Sequence, residues 1–135
     1  MLKVKYSEME QPEFASAINK LRNTPGQEIK HKTVFDFHKI DKCLKKTIPD
    51  LQETYKKVRD IHFEKDEENV YKTTPLDLDE WKAARAAWGE QELEIKSAPL
   101  PYDDCLKAGL TAGELGVLSE TIMEEPKDKP HLKGV

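Results

Sequence analysis

Apolar positions recur along this chain with two different periods, and each period predicts an element. In "MLKVKY" the residues alternate, with Leu2, Val4 and Tyr6 pointing one way and Lys3 and Lys5 the other. A period of two reads as a short, half-buried strand. "ELEIKSAPLP" alternates again, with Leu93 and Ile95 on one face, and residues 92–97 are the natural partner of the first strand. A ribbon of two strands is marginal alone, so it must pack on helices.

The remaining apolar residues follow helical spacing. Ser7 and Glu10 have the separation of a capping box, and Pro12 is tolerated in a first turn. Phe14, Ile18 and Leu21 then predict a short helix that ends at "NTPG". A much longer stripe follows: Val34, Phe37, Leu44, Ile48, Leu51, Tyr55, Val58 and His62, with Asp41 in its polar slot. Phe35, Ile40 and Ile61 form a second, weaker set that widens the face. This predicts one long helix over 30–64, buried along most of its length. Pro49 lies inside it. Proline removes a ladder hydrogen bond and clashes with the preceding turn, so a kink near 45–49 or a break into two collinear helices is expected. The stripe keeps phase across Pro49, which favours the kink.

"EKDEENVYKTTP" reads as a polar loop. It is not a calcium loop, because the glycine at the sixth loop position and the spaced Asp/Asn ladder are missing. "PLDLDEWKAARAAW" opens a further helix, with Asp77 as N-cap, Glu80 completing a box, Leu76 and Trp81 as a staple, and Gly89 as terminator. Trp81, Ala84, Arg85 and Trp88 share one side of it, which reads as core against the long helix rather than as a ligand box.

"GLTAGELG" places three glycines in eight residues and raises the question of a phosphate loop. It contains no GK followed by Ser or Thr and no GxGxxG, which argues against a phosphate loop. A helix start fits instead. Gly109 ends the short helix of "YDDCLKAG", Thr111 is the N-cap, Glu114 completes the box, and Leu115 staples back to Leu110. Leu115, Leu118, Ile122 and Met123 then form a stripe on a helix that ends near Glu125. Gly113 and Gly116 weaken that helix and would permit close approach of another backbone.

Length and composition sharpen the picture. The 135 residues fit one helical domain over 1–125, followed by a polar tail over 126–135. Charged residues reach 36%, so the faces are long and solvated and the core is modest. No apolar run is long enough to span a membrane, and the N-terminus lacks a signal-peptide core, which predicts a cytosolic protein with no membrane partner. A net charge of −4 argues against nucleic acid as a partner. The charge is uneven, however. Lys30 to Lys46 carries six lysines against two aspartates, and Asp50 to Glu68 carries seven acids against four bases. This is either a polar interaction surface or a solvated helix face.

Candidate chemistry is sparse. The four histidines form no HxxxH or HExxH, so no metal is expected. Cys43 and Cys105 read as free thiols. Cys105 follows Asp103 and Asp104, whose charge would oppose a thiolate. Of the paired acids, Asp77 and Asp79 and Asp103 and Asp104 sit at predicted helix starts, where the helix dipole and capping account for them, while Glu67 and Glu68 lie in the polar loop. No catalytic, cofactor-binding or metal residues are assigned, and no cofactor is expected.

From Lys30 to Glu125 the order of features resembles a group of small tailed-bacteriophage proteins of uncharacterised function. The segments that carry the resemblance are "FHKIDKCLKKTIPDLQETYKKVRDIHFEKDEEN" and "EQELEIKSAPLPYDDCLKAGLTAGELGVLSETIMEE". The group's pattern is a long helix ending in "Y.EKDE.G", an "EVEIPL" strand and a closing "LDDL...GLTPAEL..L.PLI". Gly113, Gly116 and Pro49 depart from it. The resemblance implies a phage or prophage origin, in the host cytoplasm or the virion, and supplies no catalytic residues.

The expected fold is mainly α (α+β), a long kinked helix with two or three shorter helices and a two-stranded antiparallel ribbon. The expected function is non-enzymatic protein binding, as a minor virion or assembly component, with a phage-encoded inhibitor of a host defence or regulatory protein as the alternative. The partner would be another phage protein, a host protein or a second copy. Candidate binding residues are Lys39, Lys42, Lys46, Trp88, His131 and Leu132.

Overall fold

The alternating segments pair. β1 (Leu2–Lys5) and β2 (Glu92–Ile95) form an antiparallel ribbon in which Leu2 faces Ile95 and Val4 faces Leu93. Burial sets this register, because a slip by one residue would turn the fully buried Val4 and Ile95 to water. The structure is a computed structural model and describes residues 1–25 and 28–125. The tail over 126–135, with His131 and Leu132, lies outside the described residues.

Six helices are described: α1 (Tyr6–Met9), α2 (Pro12–Arg22), α3 (His31–His62), α4 (Leu78–Gly89), α5 (Tyr102–Lys107) and α6 (Ala112–Ser119). The architecture is mainly α with one small ribbon. Phe14 and Ile18 of α2, Ile40 and Leu44 of α3, Ile95 of β2 and Leu118 of α6 meet in one buried cluster. No described helix is long and apolar enough to cross a membrane.

Several expectations need correction. The N-terminal segment makes two helices, separated at Glu10 and Gln11. Glu8 rather than Glu10 reaches back, its carboxylate accepting the Lys5 N–H at 2.8 Å. Glu10 instead pairs with Arg85 across the chain, at 3.2 Å. α3 runs unbroken through Pro49 for 32 residues, about 48 Å, so there is no division into two helices. Leu44 and Leu51, both buried, anchor it on either side of the proline, and Pro49 itself is exposed. Of the second apolar set only Ile40 is core; Phe35 and Ile61 are 65% and 70% exposed. Polar Thr33, Asp36 and Asp41 are buried on α3 in addition to its apolar stripe.

The α4 cap forms as expected, with the Asp77 carboxylate accepting the Glu80 N–H at 3.0 Å. Gly89 closes the helix and touches α1: a Cβ there would lie 3.1 Å from Ser7 Cβ. Gly109 takes φ +78°, the left-handed conformation that ends α5. α6 stops at Ser119, short of Glu125. The chain then bends, so that Leu100 pairs with Met123 in a parallel bridge, the Leu100 N–H donating to Ile122 O at 2.8 Å. A Cβ at Gly116 would meet nothing within 4 Å, so this glycine does not serve close backbone packing.

Candidate protein-binding faces

The first face is the outer side of α3. Ile40, Leu44 and Leu51 turn that helix's inner side to the core, which leaves Phe35, Lys39, Lys42 and Lys46 outside. Their spacing of four, three and four puts them on one stripe. The three lysines singled out from sequence therefore come together, and they are joined by Phe35, which periodicity assigns to the buried side. Asp36 restrains part of this charge: Lys32 lies 2.6 Å from one carboxylate oxygen and Lys39 3.8 Å from the other. Asp41 similarly holds Arg22 at 2.6 Å and Lys45 at 3.5 Å. Lys42 and Lys46 make no ion pair among the described residues and stand exposed.

Trp88 does not belong to this face. It is 6% exposed, stacks edge-on against Tyr55 and Tyr6, and donates its indole N–H to Thr54 Oγ1 at 3.2 Å. The helical spacing of Trp81 and Trp88 already reads as core, and that reading displaces the surface candidate. His131 and Leu132 fall outside the described residues.

The second face is the corner between α3 and α4, where the polar loop turns out to be built. The Asp66 carboxylate accepts the N–H groups of Glu68 and Val70 at 2.9 and 3.0 Å. Asn69 supplies the left-handed residue at φ 66°, and Lys65 pairs with Tyr71 in an antiparallel bridge. The Arg59 guanidinium sits 4.4 Å from the Tyr71 ring centre. The Tyr71 hydroxyl donates to Asp60, which holds that carboxyl below its ordinary pKa and raises the phenol above its own. Phe63 packs edge-on against Trp81 at 4.9 Å. Around this ordered turn Ile61, Val70, Leu76 and Leu78 stand 53–70% exposed. Four of the seven large exposed apolar side chains among the described residues thus fall between the end of α3 and the start of α4.

A cavity of about 350 Å³ separates α2 from the start of α3 and is lined by Phe37, His38, Asp41 and Asp104 among others. Asp104 is 2% exposed. One of its oxygens accepts the Thr33 hydroxyl at 2.6 Å and the Lys30 N–H at 3.3 Å. The other has no hydrogen bond and lies 3.7 Å from the Lys107 ammonium. Sequence position explains Asp104 by the helix dipole; the fold makes it the anchor of α3 on α5. Beside it, burial first and then the charges of Asp104 and Glu124 push the Cys105 thiol up to about 12. Such a thiol is a core residue and a poor nucleophile at neutral pH. Both cysteines are free, Cys43 half-buried. Among the described residues no three His, Cys, Asp or Glu side chains gather as a metal site would.

Compared with known protein families, characterised proteins and solved structures, the chain matches none. The phage resemblance rests on the quoted segments alone.

Proposed function

We propose that the chain is a non-enzymatic bacteriophage protein that works by binding protein, as a minor virion or assembly component. The observation that supports binding is the α3 stripe. Phe35 stands 65% exposed beside Lys39, Lys42 and Lys46 on a helix whose opposite side is buried through Ile40, Leu44 and Leu51. An apolar anchor among cations suits an acidic protein surface, with the charge steering the encounter and the ring supplying burial. The phage assignment is supported by "EKDEEN" and "PYDDCLKAGLTAGELGVLSETIM".

Mass spectrometry of purified particles tests the reading. A fixed copy number relative to the major capsid protein is expected. Absence from particles would overturn the virion assignment, and co-purification with a host protein would then move the function to a host-directed inhibitor.

A further inference from the structure

The two faces described above complement each other. Lys30 to Lys46 holds six lysines and two aspartates, a net of +4, while Arg59 to Glu80 holds eight acids and three bases, a net of −5. Five of the seven large exposed apolar side chains among the described residues lie on one or the other: Phe35 on the basic face, and Ile61, Val70, Leu76 and Leu78 on the acidic one. Both therefore have charge and an uncovered apolar anchor.

A single copy cannot bring them together. Phe35 and Ile61 lie on the same unbroken helix α3, and a rise of 1.5 Å per residue separates them by about 39 Å. Both side chains are thus fixed near opposite ends of one helix. Contact between copies would cover both faces at once.

We infer that copies of this chain bind one another head to tail, the acidic apolar corner between α3 and α4 of one copy seating on the basic Phe35 stripe of the next. Charge selects this orientation. Two basic stripes repel, and so do two acidic corners, so pairing like faces is disfavoured. The unlike contact can close as an antiparallel pair in which both ends are satisfied, or it can extend into rings or chains. Lys42 and Lys46 on the stripe, and Glu67, Glu68 and Asp79 at the corner, are exposed and have no ion pair among the described residues of their own copy. They are the residues most available to meet across the contact.

The inference rests on the protein-binding reading, but its test uses the purified full chain alone. Success or failure is thus independent of the particle measurement. Sedimentation velocity from micromolar to submillimolar concentration, at low and high salt, reads the assembly. Reversible self-association is expected, weakening about tenfold or more as salt rises from about 50 mM to about 500 mM. A stripe variant (Lys39→Glu, Lys42→Glu, Lys46→Glu) and a corner variant (Glu67→Lys, Glu68→Lys, Asp79→Lys) should each remain monomeric. Mixing them should restore association, since each now offers the charge the other lacks. Phe35→Ser gives a second reading at an exposed position whose loss leaves the core intact, and it too should weaken association about tenfold. A chain that stays monomeric throughout overturns the inference. So does association that ignores salt, or a mixture of the two variants that stays monomeric while each retains the parent's circular dichroism.

Discussion

Glu114→Gln should destabilise the protein by about 2 kcal/mol at neutral pH, and the loss should fade in acid. Glu114 is only 4% exposed, although it lies in the first turn of α6. Its Oε1 accepts the Lys20 ammonium at 2.7 Å and the Thr111 N–H at 2.8 Å. Its Oε2 accepts the Ser16 hydroxyl. One carboxylate thus caps α6 and fastens it to α2. Hydrogen bonds to a charged acceptor are worth about 1.5–3 kcal/mol against about 1 kcal/mol for neutral ones. Lys20 is 38% exposed, so its share is screened by water and the cap and hydroxyl bonds carry more of the difference. These considerations set the magnitude, which for a chain of this size is a fall in Tm of roughly 7 °C.

The pH dependence has a definite sign. The donors, Lys20 first, then Ser16 and Thr111, hold the Glu114 carboxyl at about 2, below its ordinary 4.5. A carboxyl whose pKa is depressed on folding stabilises the native state above its unfolded value, and the contribution is lost as pH falls toward the folded one. Urea unfolding of parent and Glu114→Gln at neutral pH, and at steps between about 4.5 and about 2, measures it. The stability gap should be full at neutral pH and close across that window. A gap that is absent at neutral pH, or that persists unchanged at the acid end, would refute the account of Glu114 as a charged tie.

Two glycine substitutions should differ in sign. Gly109→Ala forces a side chain into φ +78° and should cost about 1–2 kcal/mol by thermal unfolding, whereas Gly116→Ala, in open space on α6, should stabilise by about 1 kcal/mol. Equal effects from both would show that conformation at Gly109 is not the controlling factor. Thiol labelling of the native protein near pH 8 should modify Cys43 readily and leave Cys105, fully buried with its thiol near 12, almost untouched until the chain unfolds. Prompt labelling of Cys105 would contradict its place in the core.

Elements that depend on local interactions are readable in the order of residues alone. The alternation of Leu2 and Val4 against Leu93 and Ile95 is enough to pair β1 with β2, because a period of two can bury only one face. The caps at Asp77 and Thr111 and the terminator at Gly109 are legible because capping and left-handed backbone are settled within four residues. Where one element meets another, packing takes over. Periodicity places Phe35 and Ile61 beside the core, but among the described residues α3 buries the side that carries Ile40, Leu44 and Leu51, and this leaves both in water. The same packing carries α3 through Pro49, against the break that local chemistry allows. Asp104 and Glu114 look like helix-start acids, and only the approach of Thr33 and of Lys20 and Ser16, more than seventy residues away along the chain, makes them ties between helices. The stripe of Phe35, Lys39, Lys42 and Lys46 arises in the same way: the lysines are visible as charge, but their apolar companion emerges only when the core has chosen its side of the helix.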